Sequence, residues 1–346
     1  MALVQSLEME PHGATTWTVA LQHRRLSGQL TFEFFNGLLR SARHRPLDGA
    51  ERAYDYPFSG RSPVTEANVR LLVTQHGADF AISELERNQY VRFRTDFVFD
   101  RLVGMARDGH YRILDFGCGT GHSLDALLGY FPNARFVGAD IAGRDLDVLR
   151  SYLPEVDRSR IDLVQIQDSA KLDQLDGSFD LINLNAVFEH LLPAERRSLL
   201  PELWRRLANN GRLVLTETPW RWFPIETHTT SRPLINYLPD RLALAVARRS
   251  GHYGPDLTWT LALRHGIRGA TVAEMIACID AAAGTIRQLT SDQPDSRDLL
   301  ELWWWGESRH TRQKALAYQG LSWLRRLTGL VVSPWVNVAF CKTSEA

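Results

Sequence analysis

Apolar and polar positions change rhythm along this chain, and the changes divide it. From residue 111 to 218, short apolar runs alternate with stretches that are apolar at every third or fourth residue. Ile113 and Leu114 end one run just before a glycine-rich turn. Leu124, Leu127, Leu128 and Phe131 then fall at i, i+3, i+4 and i+7, one buried face of a helix that Pro132 and Asn133 stop. A second buried strand is predicted over 135–140, and the next helix begins near Arg144. A third strand is predicted over 161–167 and a fourth over 179–185. Leu200, Leu203, Trp204 and Leu207 give the following helix its buried face. Asn209, Asn210 and Gly211 supply a left-handed stop, and 212–218 is a fifth strand. Five strand–helix steps with short connections predict a mostly parallel α/β sheet in the order 3-2-1-4-5.

The flanks read differently. Residues 49–62, preceded by Pro46 and holding Pro57, are expected to be a long loop. Helices are predicted over about 65–74 and about 83–107, the second with Tyr90, Phe93 and Phe97 as a core stripe. After residue 218 the alternation breaks into two Pro-bounded turns rich in Trp and Tyr, Pro219 to His228 and Pro233 to Pro239. They fit a cap over the carboxyl ends of the strands, spanning about 219–270, or equally an ordinary aromatic-rich loop covering apolar surface. A sixth strand is expected over 284–289 and a final one over 335–342. Between them lies a helical insertion at about 291–330, with Trp303, Trp304 and Trp305 and an amphipathic run carrying Arg325 and Arg326. It reads as a helical add-on or dimer contact; a hydrophobic acceptor pocket or a foot on a membrane surface stays open.

The turn after the first strand is Asp115-x-Gly117-x-Gly119-x-Gly121. Glycines at alternate positions let the chain turn sharply and bring its backbone against a ligand. The dinucleotide fingerprint needs its third glycine three positions after the second, where this chain has His122. No Lys-Ser or Lys-Thr follows, so a phosphate-cradling P-loop is excluded as well. A carboxylate at the mouth of the turn suits a ligand carrying an ammonium group.

This turn resembles motif I of the class I S-adenosylmethionine-dependent methyltransferases. The stretch from Phe179 through Asn185 to Phe188, Glu189, His190 and Leu191 resembles the fourth-strand motif of their small-molecule subgroup. The likeness runs from about 111 to 218, roughly a third of the chain. It implies a Rossmann-like, mostly parallel seven-stranded sheet flanked by helices, ending in an antiparallel sixth-and-seventh hairpin, with a helical N-terminal extension and C-terminal insertions. Residues 1–109 would then be an extension with lid helices, and 110–346 the methyltransferase domain. The implied cofactor is S-adenosyl-L-methionine. Asp115, Gly117, Cys118, Gly119, Thr120 and Gly121 would bind it, with the backbone of Gly117 and Gly119 passing beside its amino-acid arm. Asp140, with Ile141 next to it, would hold both ribose hydroxyls, and Gln167, Asp168 and Ser169 would meet the adenine amine. Asn185 would close the fourth strand beside the cofactor. Cys118 is read as a small residue that fits the turn, not as a nucleophile.

Composition narrows the partners. Forty basic and forty acidic residues leave a formal charge of zero, against a general nucleic-acid binder. The three cysteines are scattered and form neither a disulfide framework nor a metal spacing. No basic-then-apolar leader is apparent near the first residues and no apolar run is long enough to span a bilayer, so a cytoplasmic location is expected.

A sulfonium methyl donor asks mainly for alignment in a site emptied of water, plus a base when the acceptor is a hydroxyl. His228 in the cap and His190 after the fourth strand are the candidates for that role, with Glu226 and Glu189 behind them. Some relatives with Glu-His after the fourth strand bind a divalent metal there. One adjacent pair is too thin a ligand set, and no metal is expected. The Asn/Asp-Pro-Pro-Tyr/Phe signature of amine methylation on a base is absent. O-methylation of a small molecule is expected, the acceptor apolar or lipid- or sugar-linked, with peripheral membrane contact and a homodimer compatible. N-methylation and a non-catalytic cofactor-binding scaffold remain as alternatives.

Overall fold

The computed structural model describes residues 4–9, 14–22, 27–47, 52–55, 66–76, 78–152, 158–166, 172–251, 253–280, 285–291, 297–307 and 310–343. Its first part corrects the expectation of a helical extension and of a loop over 49–62, since a strand occupies Arg52–Asp55. Strands β1 (Val4–Met9), β2 (Ala14–Gln22), β3 (Ser27–Phe35), β4 (Leu38–Arg45) and β5 (Arg52–Asp55) form a five-stranded antiparallel sheet in chain order. Leu30, Phe32 and Phe34 alternate into its buried side, the period-two signature of a half-covered sheet. Between β3 and β4 the chain turns on Asn36 and Gly37, both at positive φ (50° and 75°). Asn-Gly between apolar strands is a strong hairpin signal.

The two predicted helices follow as α1 (Glu66–His76) and α2 (Ala78–Val98), the latter running into a π-helical turn over Phe99–Val103. Tyr90 and Phe97 are covered, whereas Phe93 is 44% exposed and lies outside the stripe. Helix α2 is held by charge. Arg92 pairs with Asp125, which also accepts from Asn88 at 2.9 Å. Arg94, fully buried, meets Glu307 at 2.9 Å and lies 3.8 Å from Glu217.

The second sheet is the predicted one. Strand β6 (Arg112–Phe116) pairs in parallel with β7 (Arg135–Asp140) and β9 (Phe179–Asn185); β8 (Ile161–Gln165) extends the β7 side and β10 (Leu207–Pro219) the β9 side. Strands β11 (Thr285–Leu289) and β12 (Trp335–Thr343) close it as an antiparallel pair, and the full order is β11-β12-β10-β9-β6-β7-β8. Ile113, Leu181 and Val214 face one way, onto α3 (His122–Tyr130) and α4 (Gly143–Tyr152). Their neighbours Leu114, Ile182, Leu213 and Leu215 face the other, onto α5 (Pro193–Arg205), where Leu203 and Trp204 are fully buried. Adjacent residues of a strand point to opposite sides, so one apolar run fills both cores. Helix α5 ends at Arg205 and Leu207 already lies in β10. A register shift between Leu207 and Arg212 absorbs the Asn209–Gly211 stop, with Asn210 at φ 59°.

The expected cap contains α6 (Asp240–Arg248) and α7 (Trp259–Arg264) over a small core of Ile235, Ala243, Ala247, Leu257, Ala262 and Ile267. Helix α8 (Val272–Asp280) returns the chain to the sheet. The insertion before β12 holds α9 (Leu299–Trp305) and α10 (Arg312–Thr328), a helix with no buried residue. Among the described residues no helix is long and apolar enough to cross a membrane.

Candidate active site

Strand β6 has neighbours whose connections leave in opposite directions, so a crevice opens at its carboxyl end. A cleft of about 330 Å³ lies there, bounded on one side by Gly117, Asp140 and Ile141 and on the other by Val187, His190, Leu191 and Arg264. Gly117 adopts φ 75°, and a Cβ there would fall 2.4 Å from Val187 Cγ2. Its N–H and that of Cys118 donate to the Ala139 carbonyl at 2.7 and 3.1 Å, folding the turn against β7.

Asp140 sits at the end of β7 and braces this turn. Its Oδ2 accepts from the Gly119 N–H and its Oδ1 from the Ala142 N–H, both at 2.8 Å. A carboxylate has about four acceptor positions, so roughly two stay free on the cleft side. A Cβ on Gly119 would meet nothing within 4 Å, and Ile141 beside Asp140 is 58% exposed, an apolar face with no covering. A free carboxylate edge, a bare backbone and an apolar face suit a ribose flanked by a flat base and a short polar arm.

Other candidates are placed less directly. Asp115 is fully buried and accepts from Ser123 Oγ at 2.6 Å and Asn183 Nδ2 at 2.8 Å; its carboxylate braces the start of α3 and does not line the cleft. Burial pushes it up to about 6, although the two hydrogen bonds oppose the shift. Cys118 is buried and its thiol is raised by that burial, as a steric filler should be. Thr120 Oγ1 lies 3.3 Å from His122 Nε2, and Gly121 precedes α3. Asn185 donates to Thr216 Oγ1 at 2.8 Å and joins the ends of β9 and β10. Gln167, Asp168 and Ser169 lie outside the described residues.

Across the cleft His190 and Arg264 form part of its lining, and the fold gathers His228, Glu226 and Glu189 near them from far apart in sequence. His190 belongs to a single 3-10 turn, Phe188–His190, after β9. Its Nδ1 lies 2.7 Å from the Arg264 carbonyl, and Arg264 is itself clamped by Glu195. His228 enters from the cap, its ring centroid 5.2 Å from that of His190 and 5.8 Å from that of Trp335. Glu226 positions it. The buried Glu226 carboxylate accepts from the backbone of His228 (2.8 Å), Thr229 (2.9 Å) and Thr230 and from the hydroxyls of both threonines (2.7 and 2.8 Å). A carboxylate so engaged anchors a loop rather than moving protons. Glu189 is fully buried and raised by that burial to about 8. Burial, with His190 alongside, holds His228 down to about 4, and burial lowers His190. Both imidazoles are therefore neutral near pH 7, each with a free lone pair.

Glu226 and His228 were legible as a Glu-x-His element. The Arg264 carbonyl that orients His190 carried no local signal, because the contact spans 74 residues.

A family model described as a methyltransferase domain matches residues 114–213. A trans-aconitate 2-methyltransferase of Variovorax paradoxus is 31% identical over 186 residues, which cover 50% of this chain and 67% of that protein. A protein of the same name from Azoarcus is 35% identical over 130 residues, covering 37% and 48%. Malonyl-[acyl-carrier protein] O-methyltransferase of Methylococcus capsulatus is 34% identical over 126 residues, covering 34% and 44%. The chain spans about half the length of the last two relatives and two thirds of the first. The fold and the glycine-turn cleft define a Rossmann-like transferase with a nucleoside-type cofactor. The chain belongs to the class I S-adenosylmethionine-dependent methyltransferases.

Proposed function

We propose that this protein transfers a methyl group from S-adenosylmethionine to an oxygen of a small-molecule acceptor. One observation carries the reading: a single cleft joins the Gly117–Asp140 wall to the wall on which His190 lies. When bound, the cofactor supplies an electrophilic methyl group on a sulfonium. Asp140 would hold the ribose hydroxyls, Gly117 and Gly119 would run beside the amino-acid arm, and Asn185 would lie at the end of β9 beside them. Gln167, Asp168 and Ser169 remain the proposed partners of the adenine. His190 and His228, both neutral, would accept from an acceptor hydroxyl through their lone pairs, and His228 would offer a ring N–H to a carboxylate, while Leu191 and the cap keep water out.

The names of the relatives favour oxygen over nitrogen. Trans-aconitate and malonyl-[acyl-carrier protein] are both carboxylic acids, and the latter relative is named an O-methyltransferase. The expected acceptor is accordingly a small carboxylate, in place of the apolar or lipid- or sugar-linked acceptor that the sequence suggested.

Calorimetric titration should show binding of S-adenosylmethionine and none of NADH. Methyl transfer over a panel of carboxylates, alcohols and amines should then favour oxygen acceptors. Cofactor binding with no turnover on any acceptor would point to a non-catalytic scaffold instead. His228→Ala should lower turnover of a hydroxyl acceptor by about 100-fold or more, lower that of a carboxylate by less because no proton has to be removed, and leave cofactor affinity within about twofold. Equal losses in both would mark His228 as structural.

A further inference from the structure

Next to the His190 side of the cleft, a buried carboxyl oxygen lacks a hydrogen-bond partner. Glu189 is fully buried, yet its Oε1 has no hydrogen-bond partner among the described residues; only Oε2 is used, accepting from Thr218 Oγ1 at 3.2 Å. A buried carboxyl oxygen without a hydrogen-bond partner is costly and is seldom tolerated without a reason. His190 Nε2 lies 3.7 Å from that oxygen. Ligand atoms of Glu189, His190 and His228, one from each, all lie within 4.8 Å of one another. Because His190 Nδ1 faces the Arg264 carbonyl at 2.7 Å, Nδ1 carries the proton and donates it. Nε2 then presents its lone pair to the cluster. An imidazole fixed through its second nitrogen by a backbone carbonyl is how metal-binding histidines are commonly oriented. Behind the cluster, Gly266 adopts φ 84°, and a Cβ there would fall 2.7 Å from His228 Cδ2 and 3.1 Å from Glu189 Cγ. The three side chains are thus backed by a wall that leaves them little room to retreat.

We propose that Glu189, His190 and His228 bind one divalent transition-metal ion of the zinc type, and that its remaining coordination positions hold the carboxylate of the acceptor. Two imidazoles and one carboxylate suit zinc, cobalt or manganese; magnesium and calcium prefer oxygen throughout. Ligand bonds of about 2.1 Å in a tetrahedral set place ligand atoms about 3.4 Å apart. The widest separation, at most 4.8 Å, therefore has to contract by up to about 1.4 Å, within reach of side-chain rotations. Three protein ligands leave positions open, and His190 is shared with the cleft. The acceptor part of the proposal rests on the methyl-transfer reading; the metal site does not.

The test uses the full chain after treatment with a chelator and removal of that chelator. Titration with Zn²⁺ alone should give one equivalent per chain, and Co²⁺ should give visible absorption bands of a low-coordinate nitrogen–oxygen site. Glu189→Gln, His190→Ala and His228→Ala should each weaken Zn²⁺ by at least about 100-fold, while His110→Ala, an exposed histidine elsewhere, should not. Zn²⁺ should raise the melting temperature of wild type and not of the three variants, a readout that also verifies their folding. Wild type that binds no Zn²⁺, or His228→Ala that binds it as tightly as wild type, overturns the site. Malonate should shift the bands of the cobalt form; bands that ignore it overturn the carboxylate role. S-adenosylmethionine is titrated in parallel into chelated protein. Cofactor binding without metal binding sinks this site alone, and metal binding without cofactor binding sinks the methyl-transfer reading alone.

Discussion

Replacement of Asp140 by alanine tests how the cofactor is held. Each oxygen of Asp140 already accepts one backbone N–H at 2.8 Å, from Gly119 and from Ala142. About two acceptor positions remain for two ribose hydroxyls. A hydrogen bond to a charged group contributes about 1.5–3 kcal/mol when fully desolvated. The cleft is open, water can take the place of a missing carboxylate, and the pair together is therefore expected to be worth about 2–3 kcal/mol. At 1.4 kcal/mol per factor of ten, that weakens S-adenosylmethionine by roughly 30- to 150-fold. The alanine variant also frees the Gly119 and Ala142 N–H groups, so part of the loss could come from a loosened turn. A double-mutant cycle separates the two causes. A 2′-deoxy analogue of the cofactor should bind wild type about tenfold more weakly than the parent, and bind Asp140→Ala as well as the parent does. Calorimetry gives the four affinities and a thermal melt checks that the variant is folded. If the folded variant binds S-adenosylmethionine as tightly as wild type, Asp140 does not hold the ribose. If the analogue loses equally on both proteins, the effect travels through the turn instead.

Two further outcomes follow from the same turn. Burial holds the Asp115 carboxyl at about 6 in the folded protein against an ordinary 3.8, so folding favours the protonated form. That contribution to stability is fully present below pH 3.8 and is lost as the pH rises through 6, about 3 kcal/mol in all. Asp115→Asn keeps partners for Ser123 and Asn183 without the ionisation, so its melting temperature relative to wild type should climb between pH 4 and pH 8; a flat difference would contradict the assignment. Gly117→Ala should cost about 1–3 kcal/mol for its φ of 75°, plus the collision 2.4 Å from Val187 Cγ2. Adding Val187→Ala should recover the collision and not the backbone strain, as read by denaturant unfolding. No recovery in the double variant would show that the contact is not what the alanine disturbs.

What local sequence could show was the part of the molecule in which local rules and global packing agree. The run through Ile113 and Leu114, the helix stripe from Leu124 to Phe131 and the acid ending at Asp140 each carry their own periodicity. A parallel sheet buried on both faces then has few ways to join them. The five-stranded N-terminal sheet went unread although Asn36 and Gly37 announced its hairpin. Its strands are rich in Thr and Arg, and a sheet covered on one side leaves only every second residue apolar, a weak pattern beside an α/β core. The second half of the site was beyond any local reading. Glu189 and His190 are neighbours in sequence, but His228 joins them only because Glu226 folds the cap loop back. The Arg264 carbonyl aims His190 only because α7 ends against the 3-10 turn. The sequence by itself determined the sheet, its switch point and the cofactor turn, since these depend on hydrophobic period and glycine placement within a few residues. Only the tertiary structure decided that two histidines and a buried glutamate gather in one cluster, because contacts spanning 38 to 74 residues are set by how caps and helices pack.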